Sequence, residues 1–455
     1  MSVWISGPWK CCMLGIATLV LGCWLIPCCV ERSAALAAKG KKKNKSSDGK
    51  TVARSVTAKG TILSRKTLGK PWRIVTKKGK LYDGDLLLGL PGAMLESRNK
   101  AVRLALLADF DRESPYPIRE AAVILHHNPD VDLDLTLDRG RIDLINQKKK
   151  GPAHVRLRVR KDTWDVTLDG SGTSLALELY GRWPAGVPFT TKPGPKDVPT
   201  ANLIFLALKG EVNLLHDGYE HALSAPPGPA MIEWDSVTGQ DETPQKLEKL
   251  PPWAQTGGKQ TVVAKAKKQG LNRFRKAIIA NGVKATLEKY VNSDNKLERM
   301  LAVFGMGATD NLMGLANALR EAKHPDVWQN GVEALRNWIS RAPGNDQILY
   351  NALLRVGKFP QAEADTVLQL LHSFGEDDLG HPEVYQTLID FLEHDRLAVR
   401  GLAYWHLSRL VPQGEAFGYN PLDSKEKREA AVAKWRKLIP EGKMPPKEKP
   451  KDSGK

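Results

Sequence analysis

Beyond position 29 this 455-residue chain has no cysteine. All five, Cys11, Cys12, Cys23, Cys28 and Cys29, sit in one N-terminal apolar segment. Once that segment is removed, disulfides, thiol catalysis and cysteine-bound metals are excluded together. The remaining chain is long enough to fold into two or three domains without covalent staples. Short catalytic patterns are lacking too: no HExxH zinc helix, no GxxxxGK[ST] phosphate loop and no GxSxG nucleophile elbow occurs. Gly305-Met306-Gly307-Ala308 lacks a third glycine and lies in a helical pattern, so it reads as a helix end, not a dinucleotide loop. His126-His127 is the only adjacent pair among ten histidines, and neighbours on an extended strand point to opposite faces, which makes a poor shared metal site. Paired acids of a glycoside hydrolase leave no fixed spacing to read. No catalytic, cofactor-binding or metal residue is therefore expected, and the chain reads as a non-enzyme.

The formal net charge of +17 suggests nucleic acid until it is located. Residues 39–80 hold fifteen Lys or Arg against a single acid, Asp48, while everything after residue 80 is nearly neutral. A nucleic-acid face needs basic residues spread over folded surface, so no nucleic-acid partner is expected. The cluster Lys39–Lys50 instead predicts weak, salt-sensitive contact with anionic membrane or envelope polymer.

What is present orders the chain from end to end. Lys10 precedes a long apolar run that ends at Glu31-Arg32, and Ala35-Leu36-Ala37 fits the small-x-small rule for signal-peptidase cleavage. Residues 1–37 thus read as a signal peptide of an exported, periplasmic or envelope protein. The alternative is an anchor through residues 11–30, since about 20 apolar residues suffice to span a bilayer. Residues 38–55 read as a basic flexible linker. Residues 56–237 carry short apolar runs bounded by Gly, Pro and Asp, the pattern of an antiparallel β domain. In it Asp130 to Asp138 alternates polar and apolar residues, predicting one wet face and one buried face. That row of aspartates is spaced too widely along a strand for one cation. Asp169-Gly170 and Asp217-Gly218 read as hairpin turns. Residues 238–270 read as a polar linker, 271–440 as helical, and 441–455 as a disordered tail.

The helical part repeats itself weakly: Asp294, Asp326 and Asp395 each precede an amphipathic stretch. In Pro382–Leu410, Asp395 is placed to cap a second helix whose apolar stripe is Val399, Leu402, His406 and Leu410. This segment, with Arg400 and the later Tyr419-Asn420-Pro421 and Trp435-Arg436, resembles HEAT-like modules of exported bacterial proteins. The resemblance implies a short α-solenoid of helical hairpins in which Arg400 ties turns together through Asp partners. In the β part, Gly60-Thr61-Ile62-Leu63, Trp72-Arg73-Ile74-Val75 and Tyr82-Asp83-Gly84-Asp85-Leu86-Leu87-Leu88 resemble the FecR domain of periplasmic sensor regulators. That resemblance implies an antiparallel β-sandwich. Only ten residues precede the apolar run here, whereas such regulators carry a cytoplasmic sigma-factor-holding segment at that place.

The resulting expectation is a non-enzymatic envelope binding or scaffold protein whose partner is an envelope protein or polysaccharide. A membrane-anchored regulator of the FecR anti-sigma type is the alternative, and an enzyme acting on cell-wall polysaccharide comes third. Tyr180, Trp183 and Phe189, on a Pro/Gly-rich loop, form the candidate binding surface, against the plainer reading that Trp183 plugs the sandwich edge. Cleavage after Ala37 predicts a mature chain starting at Ala38. Mass spectrometry of the native N-terminus checks this, and an intact Met1 or a lipid on Cys23 would refute it.

Overall fold

One long strand organises the β part. In this computed structural model, which describes residues 49–66, 70–108, 114, 119–255, 262–320 and 323–446, β9 (Leu133–Asn146) belongs to two ladder series at once. One series runs β4 (Lys80–Tyr82), β1 (Thr51–Ser55), β6 (Ala93–Ser97), β7 (Val102–Leu107), β9, β12 (Ser174–Arg182), β13 (Thr200–Lys209), β16 (Gly228–Asp235) and β17 (Gln245–Leu247). The other runs β3 (Arg73–Ile74), β2 (Ile62–Arg65), β5 (Leu86–Gly89), β8 (Ala121–His126), β9, β10 (Ala153–Val159), β11 (Asp162–Leu168), β14 (Glu211–His216) and β15 (Tyr219–Ser224). Every pairing is antiparallel except β9 with β10.

The strand changes series at Gly140. Its φ is +81°, and a Cβ there would lie 1.8 Å from the Glu120 carbonyl oxygen, so only glycine lets the strand turn against its neighbour. Leucines from both series, among them Leu87, Leu135, Leu104 and Leu177, join one buried cluster around Trp164, Phe205 and Trp234. Trp164 meets the Trp234 ring edge-on at 5.4 Å.

Several sequence expectations need correction here. Leu133, Leu135 and Leu137 do face the core, and Asp130 and Asp138 are exposed as expected, but Asp132 and Asp134 of the same row are covered. Asp134 is only 2% exposed, because the parallel neighbour β10 brings Arg158 over it with two 2.8 Å bonds. Asp132 accepts from the His154 amide at 2.8 Å and pairs with Lys148. Asp169-Gly170 closes no hairpin; β11 pairs with β10 and β14, and the chain there crosses to the other series. Thr51–Ser55 is strand β1 within the stretch read as linker, and Asp217-Gly218 does form a hairpin turn.

After β17 the chain is helical, as the order of patterns predicts: α1 (Val262–Asn281), α2 (Val283–Tyr290), α3 (Lys296–Ala308), α4 (Leu312–Arg320), α5 (Pro325–Ile339), α6 (Asn345–Arg355), α7 (Gln361–His372), α8 (Glu376–Leu379), α9 (Pro382–Phe391), α10 (Leu397–Leu410) and α11 (Lys425–Leu438). Helix α1 starts inside the stretch read as a linker. No helix among the described residues is long and apolar enough to cross a membrane. Residues 1–48, with the signal segment and most of the Lys39–Lys50 cluster, lie outside the described residues.

Helix α10 is a hub. It packs on α4, α5, α7 and α9, and its buried residues run round most of its circumference: Leu397, Ala398, Val399, Leu402, Ala403, His406 and Leu407. A helix apolar on so many sides belongs inside a structure. His406 bonds the Leu370 carbonyl at 2.6 Å through Nε2, and burial pushes its imidazole down to about 3, so it is neutral. Asp395 does not cap α10. The cap position is Arg396, with no side-chain cap bond, and Asp395 offers its main-chain carbonyl to Arg400 at 2.7 Å. Arg400 ties turns together, but through the carbonyls of Pro421, His394 and Asp395, with no carboxylate in reach among the described residues.

The polar residues 238–270 predict little shared core between the two parts, and the structure differs. From Asp48 on the chain forms one compact unit. Leu63, Leu88, Ala122 and Phe189 of the β part are buried in the same cluster as Phe274, Leu301 and Phe304 of the helices. Leu402 is fully buried within that cluster. Leu402→Ala should lose about 2–5 kcal/mol through lost burial and a residual cavity. Because the core is shared, melts of the variant followed by circular dichroism and by tryptophan fluorescence should shift as one transition. Separate β and helical transitions would contradict that.

Candidate functional site

The two parts meet through charge as well as through apolar contact. Arg65 ends β2, Glu120 precedes β8, Asp138 and Arg139 lie in β9, Asp310 occupies the α3–α4 turn and Arg341 follows α5. Arg139 donates Nε to Glu120 at 3.1 Å, Nη2 to the Ala308 carbonyl at 2.8 Å, and Nη1 to Asp138. Arg341 bonds Glu120, and also reaches Asp310 at 3.3 Å and the Gly307 carbonyl at 3.0 Å. Arg65 pairs with Asp310 while its guanidinium stacks 4.4 Å from the Trp72 ring centre. The Trp338 indole donates to Asp310 at 2.8 Å. Three guanidiniums thus face three carboxylates, all but Asp138 largely withdrawn from water; the Ala308 and Gly307 carbonyls take one further donor each, while Arg65 Nε and Arg341 Nε stay buried without a partner.

Beside this joint lie two adjoining cavities of 240 Å³ and 320 Å³. Arg119, Gly181 and Asn337 line both. At Gly181 the strand β12 passes so close to α5 that a Cβ would sit 2.1 Å from the Ser340 carbonyl oxygen. The larger cavity is lined by four arginines, Arg119, Arg182, Arg336 and Arg409, against one acid, Glu333. Glu333 and Arg336 share a face of α5 by their i,i+3 spacing, and Trp405 and Arg409 share a face of α10 by i,i+4. Glu333 lies 3.7 Å from Arg119 and 3.9 Å from Arg409. Arg336 donates to the Leu371 carbonyl at 2.6 Å and has no carboxylate partner among the described residues.

The Trp405 ring carries two guanidiniums, Arg409 at 3.9 Å and Arg336 at 4.6 Å from its centre. Burial, and then the like charge of Arg409, push the Arg336 guanidinium down to about 10. It stays protonated at neutral pH, yet the shift marks a cation that gains from a nearby anion. Planar guanidinium forks suit the bidentate recognition of carboxylate, sulfate or phosphate oxygens.

Of the residues predicted as a binding surface, Tyr180 lines the smaller cavity and Trp183 the larger. Phe189 lines neither; it is buried, with its ring 5.0 Å from Tyr350. Trp183 is a fixed wall, stacked on His372 at 4.2 Å with its indole donating to the Ile339 carbonyl at 3.3 Å. The loop therefore docks onto the helices instead of standing as an open platform. Asp395, Val399, Arg400 and Leu402 lie apart from the cavities, in the helical packing. Sequence reasoning missed the arginines. Their helical spacings are visible, but nothing in the order of residues tells that β12, α5 and α10 converge.

No family model matches the chain, and neither a curated protein nor a solved structure shows significant similarity to it.

Asp310 carries a pH signature. Burial alone raises its carboxyl, but Arg139, Arg341, the Trp338 indole and Arg65 outweigh burial and hold it below the usual carboxylate value. The folded pKa lies below the unfolded one, so this stabilisation is complete above the unfolded value of about 4 and is lost as pH falls through the folded value. Asp310→Asn should cost about 3–5 kcal/mol at neutral pH by leaving buried cations unpaired. In denaturant titrations the deficit should shrink as pH drops below about 4.

Proposed function

We propose that this protein is a non-enzymatic binding or scaffold protein of the cell envelope, in which a FecR-like β-sandwich is mounted on HEAT-like helical hairpins and an anionic ligand is held between them. The observation that supports this reading best is the cavity at the seam, where four arginines and two tryptophans face a single glutamate. Cations set against aromatic walls favour an acidic envelope glycan or an acidic protein segment over a neutral one. Binding across the seam would also stiffen the joint between the β and helical parts, as a scaffold requires.

Acidic and neutral oligosaccharides of matched length, presented to the full chain on an array, test the reading. Acidic members should be retained in a salt-sensitive way. Arg336→Gln and Arg409→Gln should each weaken retention about tenfold, the loss of one charge-assisted contact. Equal retention of neutral members, or arginine variants that bind unchanged, would remove the cavity from consideration.

A further inference from the structure

At the far end of strands β11 and β14, a second polar cluster has the opposite sign. Trp164 of β11 sits opposite His216 of β14. This register brings Asp162, the first residue of β11, beside the two-residue turn Asp217-Gly218 that joins β14 to β15. Both turn residues have positive φ, +47° and +84°, as a tight hairpin requires. Asp241 arrives from the segment after β16, which bridges back to Trp234.

His216 is 3% exposed and held from two sides. Its ring stacks on Trp164 at 4.2 Å, and its Nδ1 lies 2.9 Å from Asp241 Oδ2. The Trp164 indole donates to the other Asp241 oxygen at 3.2 Å. A carboxylate only accepts, so Nδ1 carries a proton, and in the neutral ring Nε2 keeps its lone pair. That Nε2 is buried and has no hydrogen-bond partner. It faces Asp162 Oδ1 at 3.8 Å and Asp217 Oδ2 at 4.0 Å, both too long for hydrogen bonds. Asp162 Oδ2 is likewise buried without a partner. Among the described residues no Lys or Arg pairs with Asp162, Asp217 or Asp241; His221, 3.6 Å from Asp241, is the only other basic side chain in reach.

In the neutral ring, a lone pair and two carboxylates converging on one point repel one another unless a cation lies between them. The three ligand atoms fall within 4.8 Å of one another. Metal–ligand bonds of about 2.0–2.2 Å in a tetrahedron place ligand atoms about 3.3–3.6 Å apart. Rotating Asp217, whose side chain is 78% exposed, shortens its 4.0 Å gap, and the 3.8 Å gap between His216 and Asp162 exceeds that range only slightly. Asp241 on the far nitrogen of His216 supplies the carboxylate–histidine–metal relay that fixes tautomer and ring orientation in metal sites. We propose that His216 Nε2, Asp162 and Asp217 bind a divalent transition-metal ion of the zinc or cobalt class, with Asp241 as the outer carboxylate and one position open to water. One imidazole with two carboxylates suits this class better than calcium or magnesium, which require more oxygen ligands.

Titration of the full chain with zinc by calorimetry, and with cobalt by visible absorption, tests the site. One equivalent should bind, and cobalt should quench Trp164 fluorescence. Asp217→Asn keeps a residue that tolerates the turn and Asp162→Asn keeps its shape. Each should weaken that equivalent at least tenfold with an unchanged circular dichroism spectrum. Asp241→Asn should weaken it about 10–100-fold without contacting the ion. Absence of binding at millimolar metal would overturn the proposal. So would an equivalent whose affinity survives both Asp162 and Asp217 substitutions, or magnesium binding as tight as zinc.

Discussion

The structure depends on one buried exchange of charge, the meeting of Arg65, Arg139 and Arg341 with Glu120, Asp138 and Asp310. Charges withdrawn from water are costly to bury, and a buried ion left without its partner costs more still. Guanidinium forks also accept few geometries. The network therefore acts less as glue than as a gauge: it tolerates one relation between β9 and the α3–α4 turn. Because Arg139 and Arg341 also line the smaller cavity, the position of the arginine-lined seam is set by the same constraint.

Much of the architecture is legible in the residue pattern, for reasons that are local. Runs such as His154 to Arg158 alternate at the strand period, and the switch to helical spacing follows the last strand. Leu402 could be placed in the core because its stripe repeats at helical spacing, and Asp217-Gly218 could be read as a turn because its conformation suits few other residues. What escaped depends on partners distant in sequence. Asp134 reads as wet because an aspartate usually is; only the parallel approach of Arg158 buries it. Asp395 has the chemistry of a cap, yet the helix starts one residue later and the aspartate serves through its carbonyl. Trp183 has the look of a loop aromatic, and its place against His372 is decided by helices more than 150 residues away.

The proposed sites show the same division. His216 and Asp217 are adjacent in sequence, but Asp162 joins them only through the β11–β14 register, so no spacing rule could have announced a metal set. Likewise Arg336 and Arg409 sit on different helices and meet only over Trp405. In each case one side chain is held by a tryptophan before any ligand arrives. A stacked ring is therefore a useful sign that a polar group is fixed in position, and not merely exposed to solvent.

The span of the central network along the chain bears on how the protein reaches its native state. Arg65 and Asp310 are 245 positions apart, and Glu120 and Arg341 are 221 apart. Arg65 of β2 and Glu120 ahead of β8 thus leave the ribosome long before Asp310 and Arg341 exist. Until the α3–α4 turn and the residues after α5 have been made, Arg139 has Glu120 and Asp138 as partners, and Arg65 lacks its carboxylate. Contacts of such long range carry a high loop-closure cost and form late. The seam can therefore shed its water only once the helices from α3 to α5 have closed over it.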